Sequence, residues 1–355
     1  MTKHQKGWAL LMAALFLLCG ALSFVYAQGA PALAGSLAPT KIDIRATPIE
    51  AFDPREPAKK QFGSLIFRGG LQLSSAHKQV GGLSSIRVAA NGSNFLAVTD
   101  RGFWLRGRLT YQGESPAGIA DGEIAPMLYS DGRPITARGW YDSEALAEDG
   151  GFAYVALERV HRILKFDYAK RGLLSRGTLV PTPPEVAKLP SNLGLECLQV
   201  MPKGSPLAGA LIAISERGLD EANNIRGFLI GGPRPGLFSV RPSDDFDIVD
   251  CAVAPNSELL ILERSFSWRR GVAMRIRSVP LADIVPGAVL EGSKLISADM
   301  GFEIDNMEGL SVHRAPKGET VLTLVSDDNF SMIQRTILLQ FTLLDREGAA
   351  VSKRD

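Results

Sequence analysis

Met307-Glu308-Gly309-Leu310 decides the fold, because its order of a polar residue, a small one and an apolar one returns four more times along the chain. The other copies are Leu83-Ser84-Ser85-Ile86, Ser143-Glu144-Ala145-Leu146, Leu195-Glu196-Cys197-Leu198 and Val249-Asp250-Cys251-Ala252. Counted from Ser84 through Glu144, Glu196, Asp250 and Glu308, the intervals are 60, 52, 54 and 58 residues. A second motif follows each copy: Thr99-Asp100-Arg101, Leu157-Glu158-Arg159, Ser215-Glu216-Arg217, Leu262-Glu263-Arg264 and Ser326-Asp327-Asp328. Between them lie β-branched apolar runs such as FLAVTD, FAYVALE, LIAISE, LLILE and VLTLVSD, bounded by Gly, Pro, Asp and Asn. Such runs read as strands of an antiparallel, all-β protein.

A period of fifty-odd residues built from about four short strands is the signature of a β-propeller, one repeat per blade. Residues 63–345 accommodate five blades, or six if one is degenerate. The strand Thr336 to Leu344 is expected to share a blade with Ser64 to Leu73, so that the two ends close the ring. Innermost strands crowd around the axis, which explains the small residues Ser85, Ala145, Cys197, Cys251 and Gly309. Cys197 and Cys251 therefore read as small buried apolar residues rather than as a disulfide or metal ligands.

The 355 residues are 45% hydrophobic and 22% charged, an ordinary globular composition. A formal net charge of +1 offers no basic surplus, which argues against nucleic acid as a partner. Residues 1–27 carry Lys3, His4 and Lys6, then an uncharged apolar run from Trp8 to Ala27 that ends Val25-Tyr26-Ala27. This reads as a secretory signal cleaved before Gln28, or as an uncleaved N-terminal membrane anchor, since it is just long enough to span a bilayer. In either case the remainder is exported, to the periplasm or the outer face, as a domain of net charge −1. Residues 28–62, with five prolines, read as a linker and lead-in containing one edge strand near Lys41 to Ile49, and residues 346–355 as a polar tail.

Superposing the repeats gathers Glu144, Glu196, Asp250 and Glu308 at one level and Asp100, Glu158, Glu216, Glu263 and Asp327 at another. So many like charges cannot all stay ionised in a narrow space without a cation, because repulsion raises their pKa values. Two cations suit. Arg101, Arg159, Arg217 and Arg264 each follow a column acid and could reach the acid of the next blade, giving a structural ring of ion pairs without chemistry. Alternatively the acids hold Ca²⁺, a hard ion that takes six to eight oxygens, and the fifth repeat, Ser326-Asp327-Asp328-Asn329, favours this by replacing the arginine with an acid. There is no G-x-S-x-G elbow, no P-loop and no H-E-x-x-H, which argues against an α/β-hydrolase nucleophile, a nucleotide site or a zinc site. The segment Ser265-Phe266-Ser267-Trp268-Arg269-Arg270 reads as a solvated loop, or as a ligand contact through Trp268 and its arginine pair.

GGLSSI with VTDRG, DSEALA with VALER, LGLECL with AISERG, LLILERSFS, and above all DNMEGLSV with VSDDNFSMIQRT resemble the phytase-like domain of exported bacterial proteins described as having esterase-like activity. The likeness covers roughly residues 63–344. It implies a β-propeller and Ca²⁺-assisted hydrolysis of phosphate esters, with Asp305, Asn306, Glu308, Asp327, Asp328 and Asn329 as metal or polar ligands and Arg335 as a phosphate contact. The Asp-Ala-Asp-Asp-Pro-Ala segment of β-propeller phytases does not occur here, so the resemblance does not extend to phytate itself. The expectation is an exported hydrolase with Glu308, Asp327, Asp328, Asn329 and Asp305 on the metal, Glu196, Glu216 or Glu263 as base, and Arg101, Arg217, Arg264 and Arg335 on the ester. The rival expectation is a non-catalytic propeller that binds a partner on its axial face, its Arg-carboxylate pairs being structural.

Overall fold

A computed structural model describes residues 37–344, and the export segment and polar tail lie outside them. The strands form five small sheets, each the blade of a propeller. Each blade is built on four antiparallel strands, consecutive along the chain in blades 1 to 3; in blade 4 the short strand Val289–Leu290 leaves to pair with blade 3 before the fourth strand, and blade 5 takes its outer strand from the start of the domain. Blade 1 is Leu83–Val88, Asn94–Thr99, Phe103–Gln112 and Ser115–Pro126; blade 2 starts with Ser143–Asp149, blade 3 with Leu195–Val200, blade 4 with Asp247–Ala254 and blade 5 with Met307–Arg314. The first strand of each blade lies innermost, against the first strands of its two neighbours, and the fifth returns to the first. Among the described residues there is no sixth blade. The ends close the ring as expected: Thr336–Leu343 pairs with Leu65–Ser74, from Thr336 opposite Leu73 to Leu343 opposite Leu65.

The core is divided in the same way. Five apolar clusters each fill the seam between two adjacent blades, because a sheet with two buried faces must pack against both neighbours. The lead-in takes part. Thr40–Lys41 adds to the outer edge of blade 1, Arg45–Ile49 to that of blade 5, and Phe52 lies fully buried among Phe62, Phe67, Phe302 and Phe341.

Every inner strand carries a β-bulge close to its start, and these bulges set which residues point at the axis. The register jumps between Leu83 and Ser85, Ser143 and Ala145, Leu195 and Cys197, Ile248 and Asp250, and Met307 and Gly309. The extra residue is thus Ser84, Glu144, Glu196, Val249 or Glu308. Blade 4 is shifted by one from the sequence alignment: Val249 takes the polar position and Asp250 the small one. On the second strand Glu263 faces Ile248, so Arg264 occupies the level held elsewhere by Asp100, Glu158, Glu216 and Asp327. Gly309 is required where it stands, since a Cβ there would lie 2.6 Å from Cγ2 of Val325.

Asp250 is fully buried and closes the axis together with Arg87, which lies outside both repeated motifs. Arg87 donates to both carboxylate oxygens of Asp250 at 2.9 Å and to the carbonyls of Ile86, Leu198, Cys251 and Leu310, so one guanidinium ties together blades 1, 3, 4 and 5. The Asp250 carboxylate also accepts from Oγ of Ser85 and the N–H groups of Cys251 and Leu310. One position further along, Cys251 forms a disulfide with Cys197, with Cα atoms 5.0 Å apart. This corrects the reading of both as free apolar residues: neighbouring inner strands approach closely enough at this level for their side chains to bond.

Candidate functional site: an acidic well at the mouth of the propeller

The inner strands start, and the second strands end, on one face, here called the mouth. Five backbone contacts fix the ends of the second strands there. The N–H groups of Asp100, Glu158, Glu216 and Asp327 donate to the carbonyls of Gly82, Asp142, Gly194 and Asn306, each just before an inner strand, and in blade 4 Asp247 pairs with Arg264. Gly82 has a positive φ of 59°, and a Cβ on it would come within 2.4 Å of Oδ1 of Asp100. This scaffold gathers Asp100, Glu144, Glu158, Glu196, Glu216, Glu308 and Asp327 around the mouth, joined by Asp142, which sequence reasoning missed because it lies outside both motifs.

The electrostatics follow from this crowding. Burial first, and then neighbouring carboxylates, push Asp100 up to about 7 and hold Glu144 and Glu196 well above the usual carboxylate range. Burial likewise lifts Glu308 to about 8, Glu216 to about 7 and Asp327 to about 6, with Arg264 opposing the rise in all three. Glu158 and Asp142 are raised as well, mainly by burial. Arg264 bridges the two neighbouring blades, 3.3 Å from Glu216 and 3.2 Å from Glu308, and also donates to Asn306 at 3.1 Å. A second inter-blade pair stands at the same level, where Arg217 of blade 3 binds Asp247 at the start of blade 4. Arg101 instead stacks 3.2 Å from the centre of the Phe330 ring, and Arg159 lies 3.6 Å from Asp142, just ahead of its own blade.

The structure brings together some of the expected site residues and not others. Glu196 and Glu216 meet Glu158: one carboxylate oxygen from each lies within 4.8 Å of the others. Glu263 lies elsewhere, fully buried, where Arg275 donates to it at 2.8 Å and Arg277 at 2.9 Å. It follows from the one-residue shift that Glu263 and Asp250 stand outside the well. The acids of blade 5 are largely taken up by its own loops. Asp328 accepts from the N–H groups of Gly82 and Phe330 and from Oγ1 of Thr336, Asp327 from the N–H of Asn329, and Asp305 from the N–H groups of Asn306 and Arg335. Glu308 accepts from Nδ2 of Asn306 at 2.9 Å, and Arg335 binds Glu303 at 2.8 Å and the carbonyl of Ile304.

Comparison with known proteins gives the family. The model of a protein family described as phytase-like, with esterase-like activity of phytase, matches residues 78–330. The chain belongs to the phytase-like family. A search of curated proteins returned no match to this phytase-like chain. Among solved structures it is similar to an α-L-arabinofuranosidase from Podospora anserina, with 8% identity over 79% of this chain and 97% of that one, at a TM-score of 0.44. An aldose sugar dehydrogenase from Streptomyces coelicolor shares 10% identity over 77% and 98%, at 0.39, and the glutaminyl cyclase of Myxococcus xanthus 11% over 75% and 92%, at 0.38. Identities this low carry nothing about the activity of the phytase-like chain.

Proposed function

We propose that this phytase-like protein is an exported hydrolase of phosphate esters, assisted by a Ca²⁺ held at the mouth by Glu158, Glu196 and Glu216. The observation that carries the reading is the convergence of these three carboxylates, one oxygen of each within 4.8 Å of the others, from blades 2 and 3. The donor set fits a hard cation: it consists of carboxylate oxygens, and the backbone carbonyls of Asp142 and Gly194 already fix the strands that carry two of them. A bound Ca²⁺ supplies positive charge for the ester phosphate and lowers the pKa of an attacking water. The protein's own groups do the rest. Arg264, held between Glu216 and Glu308, offers a second positive charge at the same level. Asp100 keeps Oδ1 buried without a hydrogen-bond partner and titrates at about 7, which suits a proton acceptor near neutral pH. The blocked axis leaves the mouth as the way in.

The disulfide between Cys197 and Cys251 supports the exported reading, since such bonds persist in oxidising compartments. No helix among the described residues is long and apolar enough to cross a membrane. The test is calorimetric Ca²⁺ titration together with hydrolysis of a panel of phosphate and carboxylic esters, with calcium added and then chelated. Glu196→Gln should weaken Ca²⁺ binding and abolish the calcium-dependent rate. A rate that survives both chelation and this substitution overturns the reading.

A further inference from the structure

The mouth carries a second feature that hydrolysis does not use. The second and third strands of blade 4 run on beyond the well as a hairpin, with Phe266 opposite Val272 and Ser267 opposite Gly271. At its tip Trp268 is 95% exposed and Phe266 54%, their rings packed edge to face with centroids 5.5 Å apart. Met300, 57% exposed, lies against the base of the tip at Gly271. In the corresponding loop of blade 5, Met332 and Ile333 are essentially fully exposed. Arg269 and Arg270 complete the hairpin tip, Arg270 standing 3.8 Å from the equally exposed Asp245. Exposed apolar side chains that are grouped rather than scattered mark interaction surfaces.

We propose that these two tips dock the mouth onto an anionic lipid bilayer, Trp268, Phe266, Met300, Met332 and Ile333 entering the interfacial layer and Arg269 and Arg270 meeting phosphate headgroups. Three observations select a bilayer. Trp and Phe beside Arg are the residue types that settle at the boundary between headgroups and acyl chains. The apolar groups stand at the ends of projecting loops, a shape that inserts into a soft layer. Finally, Thr40 pairs with Ile124, two residues short of the mouth end of its strand at Pro126, so the chain enters the described domain from the mouth face. The twelve residues 28–39 separate that point from the uncharged run Trp8 to Ala27. Fully extended they reach about 40 Å, enough for a bilayer holding that run to lie against the tips. The acids do not oppose docking. Ser267, the last strand residue before Trp268, follows Arg264 by three residues of extended chain, about 10 Å beyond the level of the carboxylates, which exceeds the screening length of about 8 Å at physiological salt.

The test uses the full chain reconstituted in phosphatidylcholine vesicles with and without phosphatidylglycerol, in ordinary and brominated forms. The protein has four tryptophans, and subtracting the spectrum of Trp268→Phe from that of the wild type isolates the emission of Trp268 from Trp8, Trp104 and Trp140. Docking predicts that this difference emission shifts to the blue and loses most of its intensity to brominated chains. Arg269→Ser and Arg270→Ser should each weaken docking about fivefold in the anionic vesicles, and Met332→Ser with Ile333→Ser should reduce it in both. Emission that stays red, unquenched by bromine and open to aqueous iodide overturns the proposal. Because no hydrolysis is measured, the outcome is independent of the calcium reading.

Discussion

Replacing Cys197 and Cys251 together by alanine tests the most specific contact at the axis. The bond joins the inner strands of blades 3 and 4 across 54 residues of sequence. Closing a loop of that size removes about 14 cal/mol/K from the unfolded chain, about 4 kcal/mol at 25 °C. Both cysteines are fully buried, and alanine leaves little strain and a small void, so most of that loss should appear in full. For a domain of this size, 1 kcal/mol displaces Tm by about 2 °C, which puts the double variant about 8 °C below the wild type. The assay is urea unfolding of protein recovered from an oxidising compartment, paired with thiol titration in denaturant. Of the three cysteines, only Cys19 should react, and not even that one if the N-terminal segment has been removed. Two additional titrating thiols, or a double variant within about 1 kcal/mol of the wild type, would refute the reasoning.

The axial pair makes a second prediction: Asp250→Asn leaves the Arg87 guanidinium buried without its counter-charge and should cost about 3–5 kcal/mol, while Arg87→Met combined with Asp250→Leu should recover much of the loss. Equal destabilisation by the single and double variants in urea would count against a paired charge. The pH dependence has a definite sign. The carboxyls of the well titrate higher folded than unfolded, with Asp327, Asp100, Glu216 and Glu308 raised to between about 6 and about 8, so folding favours their protonated forms. Their contribution is complete below the unfolded values near 4 and is lost as pH rises through the folded values. Chelated protein should therefore lose Tm between pH 5 and 8, as read by scanning calorimetry, and Ca²⁺ should restore it most at the upper end; a Tm that rises over this range in chelator would contradict the arrangement.

The five blades were legible because two motifs repeated in fixed order, and the closing strands because apolar runs were left over at both ends. The content of the well was legible in four blades of five. In blade 4 the segment Ile248-Val249-Asp250-Cys251 fits the pattern at either of two registers, and a slip of one residue exchanges the faces of a strand. What chose between them lies in other blades and strands: Arg87 waiting at the axis for a carboxylate, and Arg275 and Arg277, alternate residues of the third strand, waiting on the far face for Glu263. The alternation Arg275-Ile276-Arg277 was a signal in the sequence that could have placed Glu263 there. The disulfide had one too, since Cys197 and Cys251 fall on adjacent inner strands of a chain read as exported. Asp142 gave none, because only the folded linker carries it to the mouth.

The guanidinium that seals the axis also governs traffic. A tunnel open at both ends would let a spent molecule depart while a fresh one arrives; a blind cup with a floor of Arg87 and Asp250 makes arrivals and departures share one doorway. If the acids hydrolyse phosphate esters as proposed, leaving group and phosphate must clear the same opening the next ester needs, and accumulating product should compete with substrate directly.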